Sequence, residues 1–210
     1  MEKIYLKKMT ITQLNNIIER NISNDELHKV WDSLGTTFVK FDIDTNIRRS
    51  HFLGQILHES GQFKYKRENL NYSAKGLYTV FRKYFKTIES AKKYERQPRK
   101  IANIVYANRM GNTFENDGWN FRGGGSIQIT GRNNYTELSK DLQQDFISNP
   151  NFIGEYPYYI LSAGWFWNKR KLNKYADQDN IVRITKLING GLNGLNDRIK
   201  WTEKVKRILV

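Results

Sequence analysis

The chain has 210 residues, a length that can bury a hydrophobic core and that is typical of one domain. It contains no cysteine, which excludes a disulfide framework, a thiolate metal site and a cysteine nucleophile. Its formal net charge of +14 predicts attraction to polyanions such as nucleic acid or an anionic cell wall. The alternative is that the lysines, which are abundant and scattered along the chain, result from compositional drift and have no binding role.

The N-terminal sequence MEKIYLKKMTITQL lacks the continuous apolar segment of a secretory signal. No later stretch reaches the roughly 20 apolar residues that a membrane span requires. We therefore expect a protein without a membrane span that is made in the cytoplasm without a signal peptide and is exported only with assistance.

Capping-box spacing marks two helix starts near the N-terminus, at Thr10 and at Ser23. Apolar residues follow each cap at helical intervals, which predicts two amphipathic helices. The segment 46–60 is apolar on most sides, so it predicts a largely buried helix that stops at Gly61.

The middle of the chain begins with a predicted helix that Ser73 caps and that carries the apolar residues of 77–85. Pro98 precedes a second helix, which stops near Gly111. No helical period survives between 111 and 132, a stretch that predicts turns and short extended structure.

Three consecutive glycines, Gly123 to Gly125, favour close approach of the backbone within that irregular stretch. Three more helices are predicted at 157–168, 181–189 and 195–209. No linker or repeat divides the chain, so we expect one mainly α-helical domain, residues 1–210, with a single Gly-rich irregular loop.

Glu59 lies seven residues after Phe52 and three after Ile56, so a helix places its carboxyl group at the end of an apolar stripe. Burial there favours the protonated carboxyl group that a general acid requires near neutral pH. Position alone fits an exposed glutamate without a catalytic role even better, so the spacing does not decide.

Four ordered blocks of sequence carry a family resemblance. They are HESGQF with ENLNYSA at 58–74, FRGGGSIQITGRNNY at 121–135, INGG at 188–191, and Asp197 with Arg198. Together they resemble glycoside hydrolase family 19, which includes chitinases and phage endolysins. The resemblance implies a lysozyme-like, two-lobed helical domain with a central cleft. Residues 1–45 match no family motif and are expected to form part of an outer lobe.

The resemblance implies three catalytic residues. Glu59 is the general acid, Glu68 is the general base, and Thr130 supplies a hydroxyl group that helps to hold the attacking water. Glu68 falls in a polar loop, where it should stay ionised while a buried Glu59 stays protonated. The alternatives are a solvated loop carboxylate for Glu68 and ordinary turn capping for Thr130.

Six further residues are candidates for substrate binding: Gln128, Asn134, Asn189, Arg198, Tyr72 and Trp119. By resemblance, the three amides bind the N-acetyl and hydroxyl groups of the sugar or join the catalytic network, and Arg198 pairs with the catalytic carboxylates. The two aromatic rings are candidates for stacking on sugar faces. Each residue can alternatively be a hydrogen-bonded or packed part of the core.

One position departs from the family pattern. The family commonly has R-G-R-G where this chain has an arginine followed by Gly123, Gly124 and Gly125, so a basic side chain is missing at 124. If that cation normally braces the cleft, its loss lowers activity or stability. A protein that binds the wall but has lost catalysis therefore remains an alternative.

The leading hypothesis is an endolysin-type enzyme, expected to act as a monomer, that cleaves the β-1,4-linked glycan of bacterial peptidoglycan with inversion. A chitinase with the same machinery is the nearest rival. A nucleic-acid-binding protein would explain the positive charge but not the paired glutamates. No metal or organic cofactor is expected, because hydrolysis by two carboxylates needs only water.

Overall fold

A computed structural model describes residues 9–210 of the chain. The segment 1–8, which carries part of the prediction about the missing signal peptide, lies outside the described residues. Among residues 9–210, no helix is both long and apolar enough to cross a membrane.

The described part of the chain is mainly α-helical, which confirms the predicted fold class. Its helices are α1 Ile11–Ile17, α2 Asn24–Lys40, α3 Asn46–Ser60, α4 Ala74–Val80, α5 Ile88–Lys92, α6 Pro98–Val105, α7 Asp117–Asn120, α8 Arg132–Leu142, a 3₁₀ helix Pro150–Gly154, α9 Tyr158–Lys169, α10 Asn173–Ala176, α11 Ile181–Asn189 and α12 Leu195–Leu209.

The predicted N-terminal caps are present. The Thr10 hydroxyl group accepts a hydrogen bond from the backbone of Gln13 at 3.1 Å, and the Gln13 side chain accepts one from the backbone of Thr10 at 2.9 Å. The Ser23 hydroxyl group accepts from the backbone of Glu26 at 3.2 Å. These bonds satisfy N–H groups that a helix start leaves without partners, so the sequence locates the starts correctly.

The chain divides into two units. The first runs to Lys66 and includes Gly125–Ile127 and Ile153–Val210. It contains α1 to α3 and α9 to α12, and α3 makes its most extensive contact with α12 while α2 packs on α9. Both α3 and α9 are buried on most sides, as their apolar sequences predict.

The second unit consists of Arg67–Gly124 and Gln128–Phe152, and it contains α4 to α8. One apolar cluster of this unit joins residues from α4, α5 and α6 and from the segments before and after α4. The cluster consists of Leu70, Ala74, Leu77, Phe85, Ala91, Ile101, Ala102 and Val105. Whether residues 1–210 act as one catalytic domain, with 1–45 in an outer lobe, stays a prediction.

The helix predicted after Ser73 is shorter than its apolar pattern suggested. It ends at Val80 because Phe81 adopts φ −118° and ψ 39°, outside the helical region. The chain then turns, and the hydroxyl group of Thr87 caps the separate helix α5. Phe85 is nevertheless buried. Its apolar side chain therefore predicted burial correctly, although Phe85 lies outside the helix.

The prediction missed α8, whose sequence RNNYTELSKDL is polar except for a narrow stripe. Tyr135 and Leu138 are the buried residues of this helix. The Gly-rich stretch is largely irregular, as predicted, but it also contains the single turn α7. Gly124 forms isolated antiparallel bridges to Arg67 and to Ile129, the short extended pairing that the glycines favoured.

Candidate active site

Glu59 lies in the last turn of α3, just before the helix ends at Gly61. Its side chain is 22% exposed, and its Oε1 atom accepts a hydrogen bond of 2.5 Å from the Nη2 atom of Arg198. The apolar surroundings expected from the sequence are therefore only part of its environment, because a guanidinium group pairs with it directly.

Arg198 lies in the first turns of α12 and is almost fully buried, at 1% exposure. Its Nη1 atom donates a hydrogen bond of 2.7 Å to Oε1 of Gln55, which lies one turn before Glu59 on α3. The predicted contact between Arg198 and the candidate acid is thus present in the first unit. The catalytic role of the pair stays a prediction.

A second polar pair lies beside this one. The Nδ1 atom of His58 is 2.7 Å from Oδ2 of Asp197, and the Trp201 indole donates to the same oxygen at 3.2 Å. His58 therefore has a hydrogen-bond partner on α12. Two successive residues of α3 contact two successive residues of α12, which ties the two helix ends together.

Glu68 is held at both its backbone and its side chain. Its backbone N–H donates to the carbonyl group of Gly123 at 2.8 Å. The hydroxyl group of Tyr106 lies 2.8 Å from Oε1 and 2.9 Å from Oε2, and the Gly123 N–H donates to Oε2 at 3.3 Å. The candidate base is therefore an oriented carboxylate, and the alternative of a freely solvated one does not describe it.

Tyr106 was not predicted from the sequence. It follows α6 directly, and nothing in its spacing distinguishes it from a packing aromatic residue. Burial, and then the negative charge of Glu68, raise the pKa of the Tyr106 hydroxyl group far above its usual value. Tyr106 therefore keeps its proton and remains a hydrogen-bond donor to Glu68 at any working pH.

Two arginines add positive charge around Glu68. Arg67 precedes it and donates hydrogen bonds to the Tyr135 hydroxyl group at 2.7 Å and to the Asn120 carbonyl group at 3.0 Å. Burial, and then repulsion from Arg67, lower the pKa of Arg122 to about 10, although the charge of Glu68 acts in the opposite direction. This polar, positively charged environment agrees with the polar loop predicted for the base.

The Gly-rich loop brings Gln128 close to Glu68. A Cβ atom at Gly123 would lie 2.7 Å from Oε1 of Gln128, which would have to move, and 3.1 Å from Cβ of Glu68, which is a tight contact. Glycine at 123 thus leaves room for both side chains.

Thr130 and Asn134 form a short hydrogen-bonded series after this loop. The Thr130 hydroxyl group donates to the carbonyl group of Gln128 at 3.0 Å, and the Asn134 amide donates to the carbonyl group of Thr130 at 2.7 Å. The first bond is what turn capping requires, while the oxygen lone pairs of Thr130 can still accept from a water. The water-holding role of Thr130 stays a prediction.

The two aromatic candidates each use part of their surface for packing. The guanidinium carbon of Arg122 lies 3.6 Å from the ring centroid of Trp119, so one face of that indole is covered. Tyr72 packs edge-on against Phe81 at 5.2 Å between ring centroids. Both rings also border the apolar cluster of the second unit, and sugar stacking by either stays a prediction.

The candidate residues divide between the two units. Those in the first unit are Glu59, Asn189 and Arg198, and those in the second are Glu68, Tyr72, Trp119, Gln128, Thr130 and Asn134. Asn189 is the exposed last residue of α11, before Gly190. The first unit thus contains the candidate acid, its cation and Gly125, and the second contains the candidate base with Gly123 and Gly124.

Comparison with known proteins gives a relative that spans most of the chain, although no family model matches. A glycosyl hydrolase family 19 domain-containing protein of Haemophilus influenzae is 42% identical over 173 residues, which cover 81% of this chain and 84% of the relative. An acidic endochitinase of Petunia hybrida is 29% identical over 116 residues, which cover 44% of this chain and 43% of that protein. The fold is similar to that of chitinase C from Streptomyces griseus, with a TM-score of 0.61 and 18% identity over 95% of this chain and 91% of that one.

Proposed function

We propose that this chain cleaves the β-1,4-linked glycan of bacterial peptidoglycan by inversion. The chain belongs to glycoside hydrolase family 19 and is a glycoside hydrolase that acts on a glycan. The observation that carries the mechanism is that two carboxylates have different hydrogen-bond partners. Glu59 pairs with the guanidinium group of Arg198, whereas Glu68 is oriented by a phenol and a backbone N–H.

In the proposed reaction, Glu59 donates its proton to the oxygen of the leaving sugar while the glycosidic bond breaks. Glu68 accepts a proton from a water that attacks the anomeric carbon from the opposite face. Glu59 ends the cycle ionised and Glu68 ends it protonated, and exchange with solvent restores both. Thr130 would orient the water through its free lone pairs.

Positive charge supports peptidoglycan as the substrate. The chain carries 35 lysines and arginines against 21 aspartates and glutamates, and an anionic wall attracts such a protein through long-range, salt-sensitive forces. Both carboxylates come from one chain, so the enzyme is proposed to act as a monomer. The proposal includes synthesis in the cytoplasm and assisted release to the wall, and it expects a separate pore-forming protein if the chain is a phage lysin.

Chitin is the second candidate substrate. It is favoured by the relative from Petunia hybrida, which is described as an acidic endochitinase. Both polymers contain β-1,4-linked N-acetylhexosamines, so the proposed acid and base serve either one.

The test compares purified peptidoglycan with colloidal chitin at equal protein concentration, and follows soluble reducing ends with time. Faster release from peptidoglycan supports the proposal, and release from chitin alone would replace it with the second candidate. Binding to peptidoglycan without release from either polymer would indicate lost catalysis. An electrophoretic shift of DNA without any release would favour the nucleic-acid alternative.

The stereochemistry is tested separately by proton NMR of the first product from a soluble β-1,4-linked N-acetylglucosamine oligomer. Inversion gives the α-anomer first, because one water displaces the leaving sugar in a single step. An initial β-anomer would contradict the roles proposed for Glu68 and Thr130.

A further inference from the structure

We infer that Gln55 is a positioning residue for Glu59 that acts through Arg198, and that its neutral amide leaves the charge of Arg198 to Glu59 alone. The inference rests on the proposed function, because it gives Gln55 a part in presenting the general acid. It concerns only residues of α3 and α12 in the first unit.

The geometry of Arg198 makes the two hydrogen bonds interdependent. Gln55 and Glu59 are four residues apart on α3, so they lie on the same face one turn apart. Nη1 of Arg198 contacts Gln55 and Nη2 contacts Glu59, at 2.7 and 2.5 Å. Because the guanidinium group is a rigid plane, the bond to Gln55 fixes the direction in which Nη2 points.

Burial makes the amide acceptor necessary. Gln55 and Arg198 are both buried, so solvent cannot replace a lost partner of Nη1. Within residues 9–210, Glu59 is the carboxylate that forms an ion pair with Arg198. A second carboxylate at 55 would compete for that charge, whereas an apolar residue would leave Nη1 without its acceptor.

Close packing of α3 on α12 opposes a helix shift that would compensate for such a loss. A Cβ atom at Gly54 would lie 3.0 Å from Cα of Thr202, so α3 and α12 approach each other at backbone distance beside Gln55. Thr202 is one turn after Arg198 on α12. The backbone therefore fixes the helices, and the side-chain amide of Gln55 fixes the remaining rotation of the guanidinium group.

The experiment uses the full chain and two variants at position 55, with kcat and KM measured on a soluble β-1,4-linked N-acetylglucosamine oligomer. Gln55→Leu should lower kcat about tenfold or more and change KM by less than about twofold, because the acid is misplaced in the transition state rather than in substrate binding. Gln55→Glu keeps the shape and adds a carboxylate one turn from Glu59. It should move the alkaline limb of the pH–rate profile upward by about one unit.

Ser50→Ala is the matched control. Ser50 is a buried polar residue of the same helix, and its hydroxyl group donates to the carbonyl group of Asn46 at 2.7 Å, away from Arg198. This variant should lower the melting temperature slightly and leave kcat, KM and the pH profile unchanged.

The inference is overturned if both Gln55 variants only lower the melting temperature, as Ser50→Ala does, and keep the kinetics and pH profile of the unaltered chain. Glu59→Gln separates that failure from a failure of the proposed function. If Glu59→Gln abolishes hydrolysis while the Gln55 variants remain fully active, the proposed function stands and the inference alone is wrong. If Glu59→Gln hydrolyses normally, Glu59 is not the acid and the inference falls with that role.

Discussion

Tyr106→Phe tests whether the orientation of Glu68 matters for hydrolysis. The change removes only the hydroxyl group that contacts both carboxylate oxygens at 2.8 and 2.9 Å. The phenyl ring keeps its packing against the apolar cluster of the second unit, so no large cavity forms. The long hydrogen bond from the Gly123 N–H to the Glu68 carboxylate, at 3.3 Å, then remains.

The expected magnitude follows from the charge of the acceptor. A hydrogen bond to an ionised group contributes about 1.5–3 kcal/mol, and the partly buried position of this pair favours the lower part of that range. If the bond holds Glu68 where it activates water, a loss of about 1.5–2 kcal/mol lowers kcat/KM by roughly 10- to 30-fold. The melting temperature should fall by only a few degrees, since about 1 kcal/mol corresponds to roughly 2–4 °C at this chain length.

The assay measures initial rates on a soluble oligomer together with thermal unfolding. Tyr84→Phe is the matched control, because the Tyr84 hydroxyl group accepts from Arg109 at 3.0 Å in the same unit and does not contact Glu68. Equal kcat/KM for the two variants and the unaltered chain would refute the reasoning. It would mean that Glu68 either needs no orientation or is not the base.

Three other predictions address the acid, the Gly-rich loop and a buried ion pair. Glu59→Gln should keep the melting temperature within a few degrees and lower the hydrolysis rate roughly 100-fold or more, as the loss of a general acid requires; normal turnover would contradict the role. Gly124→Arg should lower the melting temperature by about 5–10 °C, because residue 124 is buried between its two bridge partners and a charged side chain there would lose its hydration. Higher stability or activity would instead support a bracing cation at 124. Burial opposes ionisation of Asp117, but hydrogen bonds from Arg132 and the backbone outweigh it and lower the pKa of Asp117. The ion pair therefore stabilises the fold fully above about pH 4, and this stabilisation is lost as the pH falls through the lowered pKa. Unfolding free energies measured between pH 2 and 7 should fall more at the acid end for the unaltered chain than for Asp117→Asn, and equal pH profiles for both proteins would contradict it.

The helices that the sequence located well are those with local signals. Thr10 and Ser23 satisfy backbone groups within three residues of themselves, so their effect can be read without any tertiary contact. The helix predicted through Phe85 was too long because burial and helical structure were read from one apolar pattern. Phe81 belongs to that pattern, yet its backbone leaves the helix to form a turn.

The residues that surround the catalytic candidates were harder to predict, because their partners are distant in sequence. Tyr106 reaches Glu68 across 38 residues, and no spacing rule connects them. Gln55 offered a weak signal, since it lies one turn before Glu59 on the same helical face. The spacing gains a meaning only in the folded chain, where Arg198, 143 residues after Gln55, contacts the side chains of both Gln55 and Glu59.

The contact with Arg198 also bears on how Glu59 can act as an acid beside a cation. The guanidinium group engages Oε1 of Glu59. A protonated carboxyl group can accept a hydrogen bond on its carbonyl oxygen while its other oxygen carries the proton. Arg198 would therefore assign the carbonyl role to Oε1 and leave Oε2 to carry and deliver the proton. Arg198 would then orient the proposed acid rather than neutralise it, so an arginine paired with Glu59 and a proton donated by Glu59 would be compatible in one catalytic cycle.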